Sequence, residues 1–247
     1  MVDPSIFQCM AGYASLGSND VVLDIGAGLG FLTRFLVSKC KGVLAVELDT
    51  RLVKALREQL KDLSNVEIIE GDVLRVQIPQ FNKAVSIPPY NISSSLLLWL
   101  FGRKFDCAVL IFQKEFASRL VASVGSEDYG WLTVAAYYYV EVELLDEVPR
   151  WMFYPRPEVD SVIVRSKPKR PPSFILKNEA LFKQFVQTLF TQRNRKVRNA
   201  VLSFIKGMHT ATAEDAVKLA DSLLFHDKRV RELAPEDFGA LANALSK

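Results

Sequence analysis

Apolar positions in the first two thirds of the chain form short runs that alternate with helical patterns. Strand-like runs are predicted at Val21–Ile25, Val43–Glu47, Val66–Ile69, Lys83–Ile87, Asp106–Phe112, Trp131–Tyr139 and Val159–Arg165. Between the early runs, apolar spacing of three and four residues predicts helices over Gly30–Ser38 and Thr50–Leu60. This alternation predicts an α/β fold with a mostly parallel sheet under helices, and a late antiparallel addition.

The pattern changes at Ser166–Ser173, a proline-rich and basic stretch with the sequence SKPKRPPS. Only helical spacing follows it, which predicts helices over Glu179–Thr191, Arg195–Lys206, Ala213–Leu224 and Pro235–Leu245. We therefore expect a first domain over residues 1–167 and a small all-helical domain over residues 173–247.

Composition narrows the class of protein. The chain has 247 residues, of which 49% are hydrophobic and 24% are charged, as expected for a globular protein of one or two domains. Cys9, Cys40 and Cys107 show no C-x-x-C spacing, which argues against a disulfide framework or a zinc site. Without an apolar run of membrane-spanning length or a signal peptide, the expected location is cytoplasmic.

Charge is distributed unevenly along the chain. Eleven basic residues lie between Arg165 and Lys206 against Glu179 alone, a net charge of +10; because the whole chain carries +3, the remainder carries −7. Such a segment indicates either a polyanionic partner or a solvated helix face. Four cations crowd the junction of two predicted helices, where phosphate contact would explain them: Arg193, Arg195, Lys196 and Arg198.

A glycine-rich turn, Asp24-Ile25-Gly26-Ala27-Gly28-Leu29-Gly30, follows the first predicted strand. Glycines there allow the backbone to approach a ligand closely, and the N-terminus of the next helix offers unpaired N–H groups. A dinucleotide fingerprint places its third glycine one residue later, where Phe31 stands. The spacing therefore favours S-adenosylmethionine over NAD.

Carboxylates also end the next two strands. Glu47 could accept hydrogen bonds from both ribose hydroxyls, and Asp72, within Glu70-Gly71-Asp72-Val73, could accept one from an adenine amino group. Either acid alone could simply be a solvated loop residue. Because ligands bind at the carboxyl edge of an open α/β sheet, acids at three successive strand ends predict a nucleoside cofactor.

A stiff loop, VSIPPYNISSS, occupies residues 85–95. The consecutive prolines Pro88 and Pro89 cannot lie inside a central strand, so they hold a loop at its end. A plain turn and a rigid ligand-binding loop both fit this stretch on its own.

Seven motifs spread along the chain form a set: Asp24–Gly30, Val46–Asp49, Glu70–Val73, Pro89–Ser94, Phe112–Glu115, Phe153–Ser161 and Gln192–Asn199. This set resembles the ribosomal RNA adenine dimethyltransferase family, whose members dimethylate two adjacent adenosines near the 3′ end of small-subunit rRNA. The resemblance implies a Rossmann-like S-adenosylmethionine-dependent methyltransferase sheet followed by a small helical domain that binds rRNA.

The resemblance also implies site residues. The expected cofactor-binding residues, which would also hold the product S-adenosyl-L-homocysteine, are Asp24, Gly26, Gly28, Gly30, Glu47, Leu48, Asp72, Val73 and Ser86. The expected catalytic residues around the target adenine are Ile87, Pro88, Pro89, Tyr90 and Phe153, with Tyr90 and Phe153 on its two faces. The basic residues expected to bind RNA are Arg193, Arg195, Lys196 and Arg198.

The sequence departs from the family pattern in two places. An Asn that would accept from the adenine amine is replaced by Ile87, so the acceptor would be Ser86, Asn91 or a backbone carbonyl of Ile87 or Pro88. A short Gly-Gln-Asn/His-Phe segment that packs near the cofactor would precede Val2, and its loss should weaken cofactor and RNA binding.

The expected function is N6-dimethylation of the two small-subunit adenosines during ribosome biogenesis, by a monomer that needs no metal and no membrane. Its partner would be small-subunit rRNA or a pre-subunit particle. One alternative is a catalytically weak, RNA-binding ribosome-assembly factor. Another is an adenine methyltransferase of large-subunit rRNA. Gln113–Glu115 fits either a helix start or a wall of the RNA cleft.

Overall fold

Two compact units make up the computed structural model, which describes residues 4–207 and 212–246. The first unit comprises Met1–Ala117 and Glu141–Pro168, and the second comprises Ser118–Val140 and Lys169–Lys247. The second unit thus takes a segment from the middle of the chain, Ser118–Val140, which the predicted domains of residues 1–167 and 173–247 assign to the first.

One sheet forms the centre of the first unit. Its strands are β1 (Val21–Ile25), β2 (Gly42–Glu47), β3 (Val66–Glu70), β4 (Lys83–Ser86), β5 (Cys107–Gln113), β6 (Val140–Val148) and β7 (Ser161–Pro168). Across the described residues their order is β3-β2-β1-β4-β5-β7-β6. The strands from β3 to β5 pair in parallel, and β7 pairs antiparallel with β5. The expectation of a mostly parallel Rossmann-like sheet with a late antiparallel addition is confirmed.

This part of the chain also contains five of the described helices: α1 (Pro4–Tyr13), α2 (Phe31–Val37), α3 (Thr50–Gln59), α4 (Ser93–Phe101) and α5 (Lys114–Ser118). Parallel strands are covered on both faces, which explains why β1, β2 and β5 are almost wholly apolar and buried. The Asp49 carboxylate caps α3 by accepting from the Arg51 N–H. Helix α5 begins at Lys114, as the helix-start alternative for Gln113–Glu115 predicts.

The prediction of a strand over Trp131–Tyr139 is wrong, because this stretch is helix α6 of the second unit. Its Thr, Val and aromatic residues favour strands, but six of its side chains are buried, so it shows no amphipathic period. The Gly130 N–H donates to the Thr133 hydroxyl at 3.2 Å, and that hydroxyl donates to the Arg119 carbonyl at 2.6 Å. Tertiary contacts therefore override the local preference, and Tyr137-Tyr138-Tyr139 end a helix.

Strand β6, which was not predicted, follows α6 directly. Its first five residues, Val-Glu-Val-Glu-Leu, alternate apolar and polar side chains, as a strand with one buried face should. That alternation could have predicted the strand. It was missed because the adjacent tyrosine run was itself assigned to a strand.

The second unit is helical. With α6 it contains α7 (Glu179–Phe190), α8 (Val197–Gly207), α9 (Ala213–Ser222) and α10 (Pro235–Leu245), which confirms the four helices predicted after Ser173. An Asn178 cap starts α7, and Pro235 starts α10. Tyr129, Phe182 and Phe238 are fully buried in its core. None of the helices in residues 4–207 and 212–246 is long and apolar enough to span a membrane.

Candidate functional site

The strand order reverses between β1 and β4, which are parallel neighbours. Their carboxyl ends lead into the glycine turn, Gly26–Gly30, and the proline loop, Ile87–Tyr90. A Cβ added at Gly26 would lie 2.8 Å from the Pro89 Cδ atom, so the two loops meet. Open α/β sheets bind ligands at such a switch point, and the structure places both predicted loops there.

The glycine turn needs its glycines. Gly26, Gly28 and Gly30 have φ angles of 71°, 58° and 82°, in the left-handed region that other residues rarely adopt. The Gly26 N–H donates to the Val46 carbonyl at 2.8 Å, which ties the turn to the end of β2. A Cβ on Gly30 would lie 2.5 Å from the Leu56 Cδ1 atom. The turn therefore holds a backbone surface that side chains would obstruct.

Glu47 faces this turn. Its Oε2 accepts from the Gly28 N–H at 2.8 Å, and its Oε1 accepts from the N–H groups of Leu48 and Asp49 at 2.8 and 2.9 Å. A carboxylate offers about four acceptor positions, so this buried group keeps capacity for a ligand hydroxyl. Leu48 next to it is 69% exposed, an uncovered apolar surface beside the acid.

Asp72 follows β3 on the neighbouring strand. The Gly71 N–H donates to the Glu47 carbonyl at 2.8 Å, so the ends of β2 and β3 are joined. Asp72 Oδ1 accepts from the Leu74 N–H at 3.0 Å, and its Oδ2 lies 3.4 Å from Arg75 Nε. Val73 is buried. The predicted acids of β2 and β3 thus lie along one edge.

Asp24 and Ser86 lie inside the fold. Asp24 is 1% exposed and its Oδ2 accepts from the Thr33 hydroxyl at 2.7 Å, which links β1 to α2. Burial raises the pKa of Asp24 to about 7, and the nearby charge of Glu47 acts in the same direction. The Ser86 hydroxyl donates to the Ile25 carbonyl at 2.6 Å and accepts from its N–H at 2.9 Å. Both side chains position the two loops, and cofactor contact by them stays a prediction.

In the proline loop the side chain of Ile87 is half-buried against the hydrophobic cluster of the first unit. Pro88 is buried and Pro89 is exposed. Tyr90 begins a short 3₁₀ helix, and its hydroxyl shares a 2.7 Å hydrogen bond with the buried Ser161 hydroxyl. Burial raises the pKa of Tyr90. The ring is therefore held by its far end, and the phenol stays neutral.

Phe153 follows the short 3₁₀ helix Arg150–Met152 and is half-buried against the same cluster as Ile87. The structure thus joins the proline loop and the Phe153 loop to one hydrophobic cluster, although 66 positions separate Ile87 from Phe153 in the chain. The five predicted catalytic residues all belong to these two loops.

The basic junction, which we define as Gln192–Asn199 of the second unit, differs from its prediction in detail. The Arg193 guanidinium donates to the carbonyls of Ser126 and Glu127 at 2.8 and 2.7 Å. Arg193 therefore holds a backbone segment of its own unit. Arg195 is exposed and donates to the Gln192 side chain at 2.9 Å.

Two acids that the sequence argument missed reach the junction. Lys196 pairs with Asp227 at 3.0 Å, and Arg198 makes a two-pronged pair with Asp221. These cations hold the pKa of each partner carboxylate below its usual value. Both acids lie beyond the segment whose charge was counted, and nothing local in the sequence indicates the pairing. Within the described part of the chain, no group of three or more His, Cys, Asp or Glu side chains could hold a metal ion.

Comparison with known proteins gives a consistent result. The family model described as ribosomal RNA adenine dimethylase matches residues 1–243. The chain is 41% identical over 246 residues to the probable ribosomal RNA small subunit methyltransferase A of Methanosarcina acetivorans, covering 99% of this chain and 90% of that protein. It is 42% identical over 226 residues to the protein of the same name from Thermococcus onnurineus, covering 91% and 81%.

Solved structures agree. A dimethyladenosine transferase from Plasmodium falciparum is similar with a TM-score of 0.82 and 30% identity, over 98% of this chain and 95% of that one. The 23S rRNA methyltransferase ErmE is similar with a TM-score of 0.68 and 27% identity, over 98% of both chains.

Proposed function

The chain belongs to the ribosomal RNA adenine dimethylase family, and from this premise we propose that it dimethylates N6 of two adjacent adenosines near the 3′ end of small-subunit rRNA. S-adenosylmethionine would be the methyl donor, and the reaction would be a step of ribosome biogenesis. The observation that carries the proposal is the contact between the glycine turn and the proline loop at the switch point. This contact would bring the proposed cofactor-binding turn next to the loop proposed to hold the adenine.

The residues at the edge fit S-adenosylmethionine, which supplies a methyl group activated by a sulfonium. The left-handed glycine turn would pass close to the amino-acid part, and Glu47 would accept from a ribose hydroxyl. The exposed side chain of Leu48 would cover an adenine face, and Asp72 would accept from its amino group. Asp24 and Ser86 would hold the glycine turn and the proline loop in position through their buried hydrogen bonds to Thr33 and Ile25.

The adenine amine is a weak nucleophile because its lone pair is delocalised into the ring. Acceptors that take its hydrogens and align it with the methyl group would assist attack. Ile87 has no acceptor in its side chain, and the Ser86 hydroxyl is already bonded to Ile25. The carbonyls of Pro89 and Tyr90 accept from Ile92 and Ser93. The Asn91 side chain and the backbone carbonyls of Ile87 and Pro88 remain, and we assign the acceptor role to the two carbonyls because the consecutive prolines restrict the backbone that carries them.

Tyr90 and Phe153 would hold the two faces of the adenine, which must leave its stack to reach the pocket. Both rings are held in place by contacts with the rest of the first unit, unlike a flexible aromatic side chain on the surface. Tyr90 is fixed through Ser161, and Phe153 packs on the hydrophobic cluster. Such preorganisation lowers the entropy cost of holding the base.

RNA contact by the second unit is proposed chiefly for Arg195, with Lys196 and Arg198 contributing when phosphates replace Asp227 and Asp221. Surface ion pairs are weak, so this exchange costs little. Arg193 would act by keeping the junction folded.

The main test is transfer of labelled methyl to small ribosomal subunits that lack the modification, with the product nucleoside identified and mapped. Dimethyladenosine at the 3′ end is expected. Tyr90→Ala should lower transfer by about 5- to 150-fold, the range for loss of one stacked base. Tyr90→Phe keeps the ring and should stay closer to the original rate. Undiminished transfer by Tyr90→Ala would remove the adenine-clamp assignment.

Ile87→Asn separates the enzyme from the assembly-factor alternative. A large gain in transfer would show that Ile87 leaves the enzyme weak. No change would show that the backbone carbonyls suffice. No transfer by either form, with salt-sensitive binding to the subunits, would favour the assembly factor.

The similarity to ErmE supports a second candidate, methylation of an adenine in large-subunit rRNA. Offering both unmodified subunits in the same assay decides between the two. Label recovered in the large subunit alone would replace the first proposal.

A further inference from the structure

Two large aromatic side chains stand in solvent on the loop that carries Phe153. Trp151 is 66% exposed and Tyr154 is 85% exposed, whereas Phe153 between them is half-buried. The roles assigned above use Phe153 and leave both neighbours without a function. Large aromatic side chains such as Trp and Tyr are enriched at binding surfaces.

The loop holds these rings in place. The Arg150 N–H donates to Asp160 Oδ1 at 2.9 Å, and its guanidinium donates to the Glu158 carbonyl at 2.9 Å. The Lys114 N–H donates to the Asp160 carbonyl at 3.1 Å. Three prolines restrict the backbone further: Pro149, Pro155 and Pro157. The rings are thus displayed by a constrained segment.

Backbone direction explains which ring faces solvent. Phe153 has φ −111° and ψ 150°, an extended conformation in which successive side chains point to opposite sides. Phe153 packs on the hydrophobic cluster, so Tyr154 points away from it. Trp151 and Tyr154 are within two residues of Phe153 in the chain, so an RNA strand that brings its target base to Phe153 would pass the loop that carries both rings.

The residues next to the rings indicate what covers them. Arg150 and Arg156 border the two rings in the sequence RWMFYPR, whereas the acids of the same loop, Glu158 and Asp160, follow Pro157, and Asp160 accepts from the Arg150 N–H. Aromatic faces interleaved with cations bind single-stranded nucleic acids, because every base has a π-face and every nucleotide a phosphate.

We propose that Trp151 and Tyr154 form a stacking platform for the unpaired RNA bases that flank the adenosine held at Phe153. This rests on the proposed function, because it extends the same RNA path beyond the reacting base. The platform tolerates any base and acts on RNA affinity, while the chemistry stays with the proline loop.

Fluorescence tests the platform directly. The probes are a single-stranded oligoadenylate and an abasic oligonucleotide of equal length, which has the same charge and no bases. Oligoadenylate should quench the original chain, and Trp151→Phe should lack that part of the quenching, since Trp99 and Trp131 remain as internal references. Equal quenching by the abasic strand, or no binding of oligoadenylate, would overturn the platform.

Affinity variants supply the second readout. Trp151→Ala and Tyr154→Ala should each weaken oligoadenylate binding by about 5- to 150-fold, whereas Trp151→Phe and Tyr154→Phe keep a ring and should bind nearly normally. Ile175→Ala is the matched control, since Ile175 is 88% exposed in the other unit. Unchanged affinity in both alanine variants contradicts the platform.

Methyl transfer to small subunits separates the two proposals. The alanine variants should raise KM for the subunits with kcat and S-adenosylmethionine affinity unchanged. In one outcome, the original chain methylates no rRNA while Trp151→Ala binds oligoadenylate more weakly than the original chain does. In that case the proposed function fails and the platform stands. If Trp151→Ala alters only self-association, seen by sedimentation, the surface is a contact between copies and the platform is wrong.

Discussion

The glycine turn of the first unit and the basic junction of the second are both proposed to bind a ligand, but their polar groups are held in different ways. Glu47 is 7% exposed, and N–H groups of Gly28, Leu48 and Asp49 surround it. At the junction, Lys196 and Arg198 pair with carboxylates at the surface. The turn is a buried, preorganised array of dipoles, whereas the junction is a set of exchangeable ion pairs.

This difference suits two kinds of ligand. A nucleoside cofactor needs fixed acceptors in one geometry, which buried hydrogen bonds provide. A polyanion needs cations that can exchange one anionic partner for another, and weak, exposed ion pairs allow that. Substitutions in the glycine turn should therefore change the stability of the fold and the rate of methyl transfer. Substitutions in the basic junction should change RNA affinity and its salt dependence.

The largest effect is expected at Asp24, through pH. Its pKa is about 7 in the folded chain against 3.8 for the free side chain, so folding takes up a proton between these values. Stability is therefore highest below about pH 4 as far as this group is concerned, and falls as pH rises to about 7. Asp24→Asn should remove this fall, which amounts to at most about 4 kcal/mol.

Urea unfolding of both forms across this pH range measures the effect. Asp221→Asn at the junction is the contrasting variant, because Arg198 lowers the pKa of Asp221. Its contribution is fully present above the free-acid pKa, so Asp221→Asn should leave the slope between about pH 4 and 7 unchanged; the contribution is lost only when pH falls below about 4, where the slope has the opposite sign. Identical pH slopes in Asp24→Asn and the original chain would contradict the buried acid.

Next in size is Gly26→Ala. The φ of 71° disfavours alanine, and the added Cβ would lie 2.8 Å from Pro89 Cδ, so the turn and the proline loop must separate. A displacement near 1 Å at a reacting centre can lower methyl transfer by about 100-fold. Gly12→Ala in α1 is the control, since nothing lies within 4 Å of its added Cβ. Normal transfer by Gly26→Ala would mean that the contact has no role in the reaction.

The third prediction divides the junction. Arg193→Ala should lower unfolding stability by about 1–3 kcal/mol, because two carbonyls lose a charged donor. Arg195→Ala should leave stability unchanged, weaken RNA binding and reduce the salt slope by about 1. Unfolding curves and RNA titrations at several salt concentrations measure both. A reversed pattern would make Arg193 the phosphate ligand.

The smallest effect is expected when the acids at the junction are neutralised. Asp221→Asn with Asp227→Asn frees Arg198 and Lys196, so RNA affinity should rise by about 2- to 5-fold. Glu214→Gln, which breaks the Lys218 pair in α9, is the matched control. A fall in RNA affinity would show that the acids are needed to orient the cations.

Much of the first unit could be predicted because its signals are local. Buried parallel strands are continuous apolar runs, and left-handed turns require glycine, so β1 to β5 and the turn at Gly26–Gly30 followed from short stretches. The assignment of Trp131–Tyr139 failed because a helix buried on most sides carries no periodic pattern. The cytoplasmic location and the monomeric state stay predictions.

The sequence alone predicted the parallel sheet, the acids at its carboxyl edge and the helical C-terminal part. It also predicted the family that the motifs resemble. Folding decided the rest: that Ser86 is taken up by Ile25, that Gly26 touches Pro89, and that Asp221 and Asp227 reach the junction. The physical reason is distance along the chain. Motifs whose polar groups hydrogen-bond to neighbouring backbone can be predicted from the sequence. Hydrogen-bond partners that are 23 to 67 residues apart in the chain come together only when the core packs.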